Sequence, residues 1–159
     1  MSIPFRLSSF LEQHGTRYEI CAHGKSRCSA ETARRAGIPP HALAKSVIVE
    51  DDGGCVLAVV PSDRLVKLGE LSRLLGRRHL HLADEERLGE LFAGCERGAV
   101  PAFGMVWGIE TVVDDEVEAC PVVYVESGDH EQLLRLPHDE FHALMAPARH
   151  GRFSAVPWH

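Results

Sequence analysis

The chain has no CxxC pair and no even, closely spaced cysteine framework: Cys21, Cys28, Cys55, Cys95 and Cys120 are odd in number and scattered. That excludes a zinc-finger module and the disulfide scaffold of a small secreted domain. No stretch approaches the roughly 18 uninterrupted apolar residues of a membrane span. Met1 to Leu11 lacks the basic start and long apolar run of a secretory signal. A reduced, cytoplasmic protein is expected. Neither a P-loop nor a G-x-G-x-x-G fingerprint occurs, and no serine sits in a G-x-S-x-G elbow. No cysteine has a context that would activate it, so a covalent protein nucleophile finds little support.

The composition is that of an ordinary globular chain, with 45% apolar and 25% charged residues in a length of 159. A chain of that length buries roughly 70% of its unfolded surface and needs no metal or disulfide staple. Internal repeats and low-complexity linkers are absent, so one domain over residues 1–159 is expected. The net charge of −6 argues against a general duplex-DNA binder held by a broad basic face. The charge is uneven, however. Residues 1–45 hold seven basic side chains (Arg6, Arg17, Lys25, Arg27, Arg34, Arg35, Lys45) against three acids, a net of +4, and the remainder carries −10. Such a molecule can offer a local basic patch to an anionic ligand, although a solvated basic helix face has the same composition.

Helices are expected at Phe5 to His14, at Ser29 to Ala36 with Ser29 as N-cap, at Asp63 to Leu75, at Asp84 to Phe92 and at Asp139 to Met145. Strands are expected at Tyr18 to Cys21, Lys45 to Glu50, Cys55 to Val60, His79 to Leu82, Thr111 to Val113, Pro121 to Val125 and His130 to Leu136, with a hairpin turn at Asp51 to Gly54. The tail from Ala146 reads as extended and partly mobile. This mixture lacks regular βαβ alternation, which points to an α+β fold with a mostly antiparallel sheet.

Chemistry concentrates in few places. In the loop Gly94 to Gly104, Gly98 and Gly104 permit conformations barred to other residues and Pro101 fixes a dihedral between them. Such a loop can turn successive N–H groups toward one point and hold an anion or a carbonyl oxygen, though a tight helix-to-strand connection uses the same residues. Lys45 opens an apolar strand and can place an ammonium at a cleft mouth; an isolated lysine there can equally lie along the sheet with its tip in water. Gly128-Asp-His130-Glu offers a donor, an acid and an imidazole on one loop, although many loop histidines only face solvent. His79 and His81 share one face of an expected strand, but no third ligand at suitable spacing accompanies them. His138, His142, His150 and His159 are too irregularly spaced to mark a site.

Taken in order, these pieces resemble the YbaK/prolyl-tRNA-synthetase-associated family of aminoacyl-tRNA editing domains. The resemblance rests on Ala44-Lys45-Ser46-Val-Ile-Val49, Leu57-Ala-Val-Val-Pro61, Asp63-Arg-Leu-Val-Lys-Leu68, Leu82-Ala-Asp-Glu-Glu86, Gly98-Ala-Val-Pro101-Ala-Phe-Gly104 and Tyr124-Val-Glu-Ser-Gly-Asp-His130. It spans about residues 15–145, which leaves 146–159 as a C-terminal tail. It implies a single domain around a curved, mostly antiparallel sheet with surrounding helices, and a free-standing deacylase that hydrolyses the ester of a mischarged tRNA.

The family's lysine falls on Lys45 and its glycine-proline loop on Gly98 to Pro101; the family loop often has a second glycine where this chain has Arg97. Lys45, Gly98, Ala99 and Val100 are the implied catalytic positions. Lys45, Pro101, Phe103, Gly104, Gly128 and His130 are the implied substrate contacts, His130 acting on selectivity. No cofactor or metal is implied. The expected partners are the acceptor end of a mischarged tRNA bearing Ala, Ser, Thr or Cys and a synthetase, with no membrane or DNA. A non-catalytic module that binds tRNA ends or a synthetase stays open, as does a hydrolase of free esters.

Overall fold

Leu7 and Leu11, four residues apart, form the buried side of the first helix, α1 (Phe5–Gln13), in a computed structural model that describes residues 3–96 and 98–157. The chain turns at Gly15 into β1 (Glu19–Ala22) and then enters α2 (Ser29–Ala36), which Gly37 ends in a left-handed conformation at φ +68°. The expected N-cap at Ser29 is corrected: Ser29 is the first helical residue, Cys28 occupies the cap position, and no side chain caps the helix. Glu31 in the first turn serves the exposed N–H end electrostatically instead.

The centre of the molecule is the hairpin of β2 (Leu43–Asp51) and β3 (Gly54–Pro61), paired without interruption from Ala44 opposite Pro61 to Asp51 opposite Gly54. Asp51 fixes the turn by accepting from the Gly53 N–H at 2.7 Å and pairing with Arg77. The helix expected from Asp63 begins later. Leu65–Val66 form a short strand, β4, and only Leu68–Leu75 are helical as α3.

Next come β5 (His81–Leu82), α4 (Glu85–Leu91) capped by Asp84, a 3-10 turn at Gly104–Trp107 and β6 (Glu110–Asp114). His79 has φ +61° and precedes the strand, so His79 and His81 do not share a strand face. The chain closes with α5 (Asp115–Glu118), β7 (Val122–Glu126), β8 (Gln132–Pro137), α6 (His138–Leu144), β9 (Arg149–Gly151) and β10 (Ser154–Ala155).

The sheet runs in the order β1-β8-β7-β2-β3-β6-β9, with β5 added to β2. The pairs β1/β8, β7/β8, β2/β3 and β2/β5 are antiparallel; β2/β7, β3/β6 and β6/β9 are parallel. It is therefore a mixed sheet in which antiparallel pairing holds a narrow lead. The tail is extended but not loose. β9 adds to the sheet edge, β10 pairs with β4, and Phe153 is buried with its N–H donated to Asp114 at 2.9 Å.

Strand alternation divides the core. Ala44 and Ile48 of β2 pack with Leu7, Phe103, Val125 and Phe141 on one face, and Val49 packs with Leu71, Leu75 and Phe153 on the other. Leu43 joins Ala33 of α2 and Leu133. The strands β2 and β7 pair only at Leu43/Tyr124 and Ala44/Val125 and then part; β2 regains a strand on that side at Val49, opposite Leu82. The two parallel neighbours separate beyond their paired stretch and leave the β2 edge open as a crevice between them.

Candidate active site

The crevice has one wall on each face of β2. Ser46 points to the face of Ala44 and Ile48, and its hydroxyl donates to the Val100 carbonyl at 2.9 Å, which lays the Gly98–Pro101 loop along the open strand edge. The loop's other anchor is the β7–β8 connection, where the Glu96 N–H donates to the Gly128 carbonyl at 2.7 Å. Gly98 has φ +78°, and a methyl group there would stand 3.2 Å from Cε1 of His130 and 3.4 Å from the Arg27 carbonyl. Glycine is thus required for conformation and for close approach together. Gly98→Ala is expected to cost about 1–2 kcal/mol of backbone strain, to push the His130 ring, and to lower turnover about ten-fold; unchanged kinetics with an unchanged melting temperature would show that the approach is incidental.

His130 is buried and itself has φ +61°. Its backbone is held by a turn in which Asp129 accepts from the N–H groups of Glu131 and Gln132 at 2.9 and 3.0 Å and from the Ser127 hydroxyl at 3.1 Å. The His130 carbonyl accepts from the Ser26 N–H and hydroxyl at 3.3 and 3.2 Å, and the Ser26 hydroxyl bonds Thr32 of α2.

Beside Thr32 is Glu126, the last residue of β7 and 2% exposed. Burial pushes its carboxyl up to about 8; the Thr32 hydroxyl acts against this and the Asp129 charge adds to it. Glu126 lies two residues beyond Tyr124, and Lys45 two beyond Leu43, so the parallel register places both on one face as the strands separate.

Lys45 is half-buried, and its Nζ donates to the Arg64 carbonyl at 2.9 Å. Burial lowers its affinity for a proton, with Asp63 opposing. The structure therefore gathers Ser46, Gly98, Val100, Gly128 and His130 on one side of the open edge, and turns the Lys45 ammonium to the other. A cavity of about 300 Å³ between α4 and the loop is lined by Leu88, Phe92, Cys95, Glu96, Gly98 and Val100, and Lys45 does not line it.

Three sequence-derived positions have structural occupations. Phe103 is a core side chain, its ring 5.7 Å from Phe10 and 6.1 Å from Phe141. Gly104 is a packing glycine, since a methyl there would meet the Ile109 carbonyl at 2.9 Å. The Ala99 N–H donates to the Glu96 carbonyl at 3.0 Å, closing the loop on itself. Pro101 is buried at the loop's end, and Arg97 lies outside the described residues. Ser46 and Glu126 were not singled out from sequence. A polar residue beginning an apolar strand and an acid ending one were the only signals.

The profile of the aminoacyl-tRNA editing domain family matches residues 23–144. The chain belongs to that family. The match includes β2, the glycine-proline loop, β7 and His130, and hence the whole crevice. Among solved structures, a proposed trans-editing enzyme for prolyl-tRNA synthetase is 25% identical with a TM-score of 0.80, over 94% of this chain and 95% of that one. A hypothetical protein is 24% identical with a TM-score of 0.83, over 94% and 99%. A proposed signal transduction protein from Marinobacter aquaeolei VT8 is 23% identical with a TM-score of 0.78, over 97% of this chain but 31% of that one, so the fold also occurs within a longer chain. No curated protein matches. Among the described residues, no helix of this editing domain is long and apolar enough to cross a membrane.

Proposed function

We propose that this editing domain is a free-standing, cytoplasmic deacylase that hydrolyses the ester between a small amino acid and the wrong tRNA. The observation that supports it most is the open edge of β2, bordered on one face by the Gly98–Val100 loop and His130 and on the other by Lys45 and Glu126. An aminoacyl ester laid across that edge has the loop's amides at its carbonyl oxygen and an ammonium within a lysine's reach of its phosphate or ester. Because the Ala99 N–H closes the loop, Gly98 and Val100 are the donors for the oxyanion.

The reaction needs no protein nucleophile. Water adds to the ester carbon, helped by the neighbouring ribose hydroxyl, the ester C–O bond breaks, and the ribose oxygen takes a proton as the free amino acid leaves. The His130 ring, packed against Gly98, sets how much side chain fits beside the carbonyl. One methylene is worth only about 1–3 kcal/mol in a synthetase pocket, which is why Ala, Ser, Thr or Cys esters require a second, hydrolytic sieve.

The basic N-terminal third supports an acceptor-stem partner. Lys25 and Arg27 flank Ser26 at the crevice, and Arg34 and Arg35 are exposed along α2. Arg27 and Arg35 are themselves exposed and share the largely buried Glu31 carboxylate, so each guanidinium keeps a solvent side that a phosphate can meet. The deciding experiment is a panel of mischarged tRNAs. At least one small-amino-acid ester should be hydrolysed, its KM should rise on the order of 10²-fold between about 50 and 200 mM salt, and kcat should change little. No turnover with retained tRNA binding would favour a non-catalytic module, turnover of free esters alone a general esterase, and a flat salt response would make the basic third a solvated surface.

A further inference from the structure

Far from the crevice in sheet order, the other end of the molecule gathers three side chains that sequence spacing leaves unrelated. Glu118 ends α5, His142 lies in α6, and His150 lies in β9 at the sheet edge. Nδ1 of His142 and Nε2 of His150 stand 2.9 and 2.7 Å from one oxygen of Glu118, Oε2. The ligating atoms of all three lie within 4.8 Å of one another. The Glu118 side chain is 12% exposed, and its second oxygen, Oε1, is buried with no hydrogen-bond partner among the described residues. His138 stacks on His142 with ring centroids 5.6 Å apart and planes 13° apart, which limits how that ring can turn.

We propose that Glu118, His142 and His150 form a binding site for a divalent transition-metal ion, zinc foremost, with a fourth position open to water or an external ligand. Two imidazoles and a carboxylate make a nitrogen-oxygen donor set suited to zinc and its neighbours and poorly matched to magnesium or calcium, which prefer oxygen. Ligands about 2.0–2.1 Å from a tetrahedral zinc stand about 3.3 Å apart, so small ring rotations open the present cluster around an ion.

Hydrogen bonding alone accounts for Oε2 and leaves Oε1 buried; a metal ion uses the carboxylate as a whole. With both rings neutral the cluster carries the negative charge of the Glu118 carboxylate, which attracts a cation. An ion there ties α5, α6 and β9 together and fastens the segment after Ala146 to the sheet.

The test uses the full chain freed of metal with a chelator and titrated with zinc chloride and, separately, cobalt chloride. One equivalent should saturate, raise the melting temperature, and give a visible cobalt spectrum without a thiolate charge-transfer band. His142→Ala and His150→Gln, both at exposed or half-exposed rings, should each weaken binding by more than about ten-fold and abolish the thermal shift while folding as the wild type does. The proposal is overturned by the absence of one-to-one saturation, by an affinity in both variants equal to that of the wild type, or by a thiolate band, which would place the ion on the cysteines. Deacylation at the crevice should be the same in wild type and variants, so the proposal stands or falls apart from the reading of the crevice.

Discussion

Lys45→Ala is expected to lower hydrolysis of a mischarged tRNA by about 10²-fold or more while the protein stays folded. Among the described residues the side chain gives the fold one hydrogen bond, from Nζ to the Arg64 carbonyl, and its half-buried charge is disfavoured by desolvation. Losing that bond and relieving that charge nearly offset each other, so a stability change within about 1 kcal/mol is expected. In the crevice the register places the same ammonium on the Glu126 face of the β2–β7 parting.

Kinetics separate its two conceivable tasks. Loss of a phosphate contact raises KM, whereas loss of ester polarisation lowers kcat. Burial moves the ammonium's titration below that of an ordinary lysine, so activity that depends on the charged form should decline with rising pH earlier than an exposed lysine would allow. A variant with full activity and an unaltered pH profile would remove Lys45 from the mechanism.

The parts of the fold that could be read from sequence are those whose causes are local. The hairpin of β2 and β3 follows from two apolar runs around Asp51-Asp-Gly-Gly54, and α2 ends where Gly37 takes φ +68°. What misled was non-local. Leucine periodicity carries the α3 reading back to Leu65, but Leu65 and Val66 receive backbone partners from Ala155 and Ser154, about ninety residues later, and become a strand. The same pairing, with the burial of Phe153, turns a segment read as partly mobile into structure.

At the site, the unusual glycines of the 94–104 loop were legible because conformation restricts residue type, whereas Ser46 and Glu126 acquire meaning only from what the fold sets beside them. Phe103 shows the converse, since an aromatic within the loop motif serves the core. Glu118, His142 and His150 were invisible for the same reason, as three elements bring them together and no spacing encodes it.

Glu126→Gln is expected to stabilise the protein increasingly as pH rises from about 5 to 8, by on the order of a few kcal/mol at the alkaline end. The sign follows from proton binding. In the unfolded chain the carboxyl loses its proton near the ordinary glutamate value, whereas burial holds it to about 8 in the folded state, with Thr32 opposing and Asp129 adding. Between those two values the native state binds the extra proton, so wild-type stability falls as pH rises through this window and levels off above it. The carboxamide is nearly isosteric and has no charge to acquire, so it escapes that loss.

Any other group that titrates in the same range is common to both proteins and cancels in the difference. Denaturant unfolding of the pair at several pH values therefore isolates the Glu126 contribution, and parallel stability curves would show that the carboxyl is not held protonated. The consequence reaches the crevice. Because burial favours the protonated carboxyl, the β7 edge can carry an acid that donates a hydrogen bond, and once ionised it presents an anion on the Lys45 face. A deacylation rate that changes with this group in the wild type but not in Glu126→Gln would tie the buried acid to the reaction as well as to the fold.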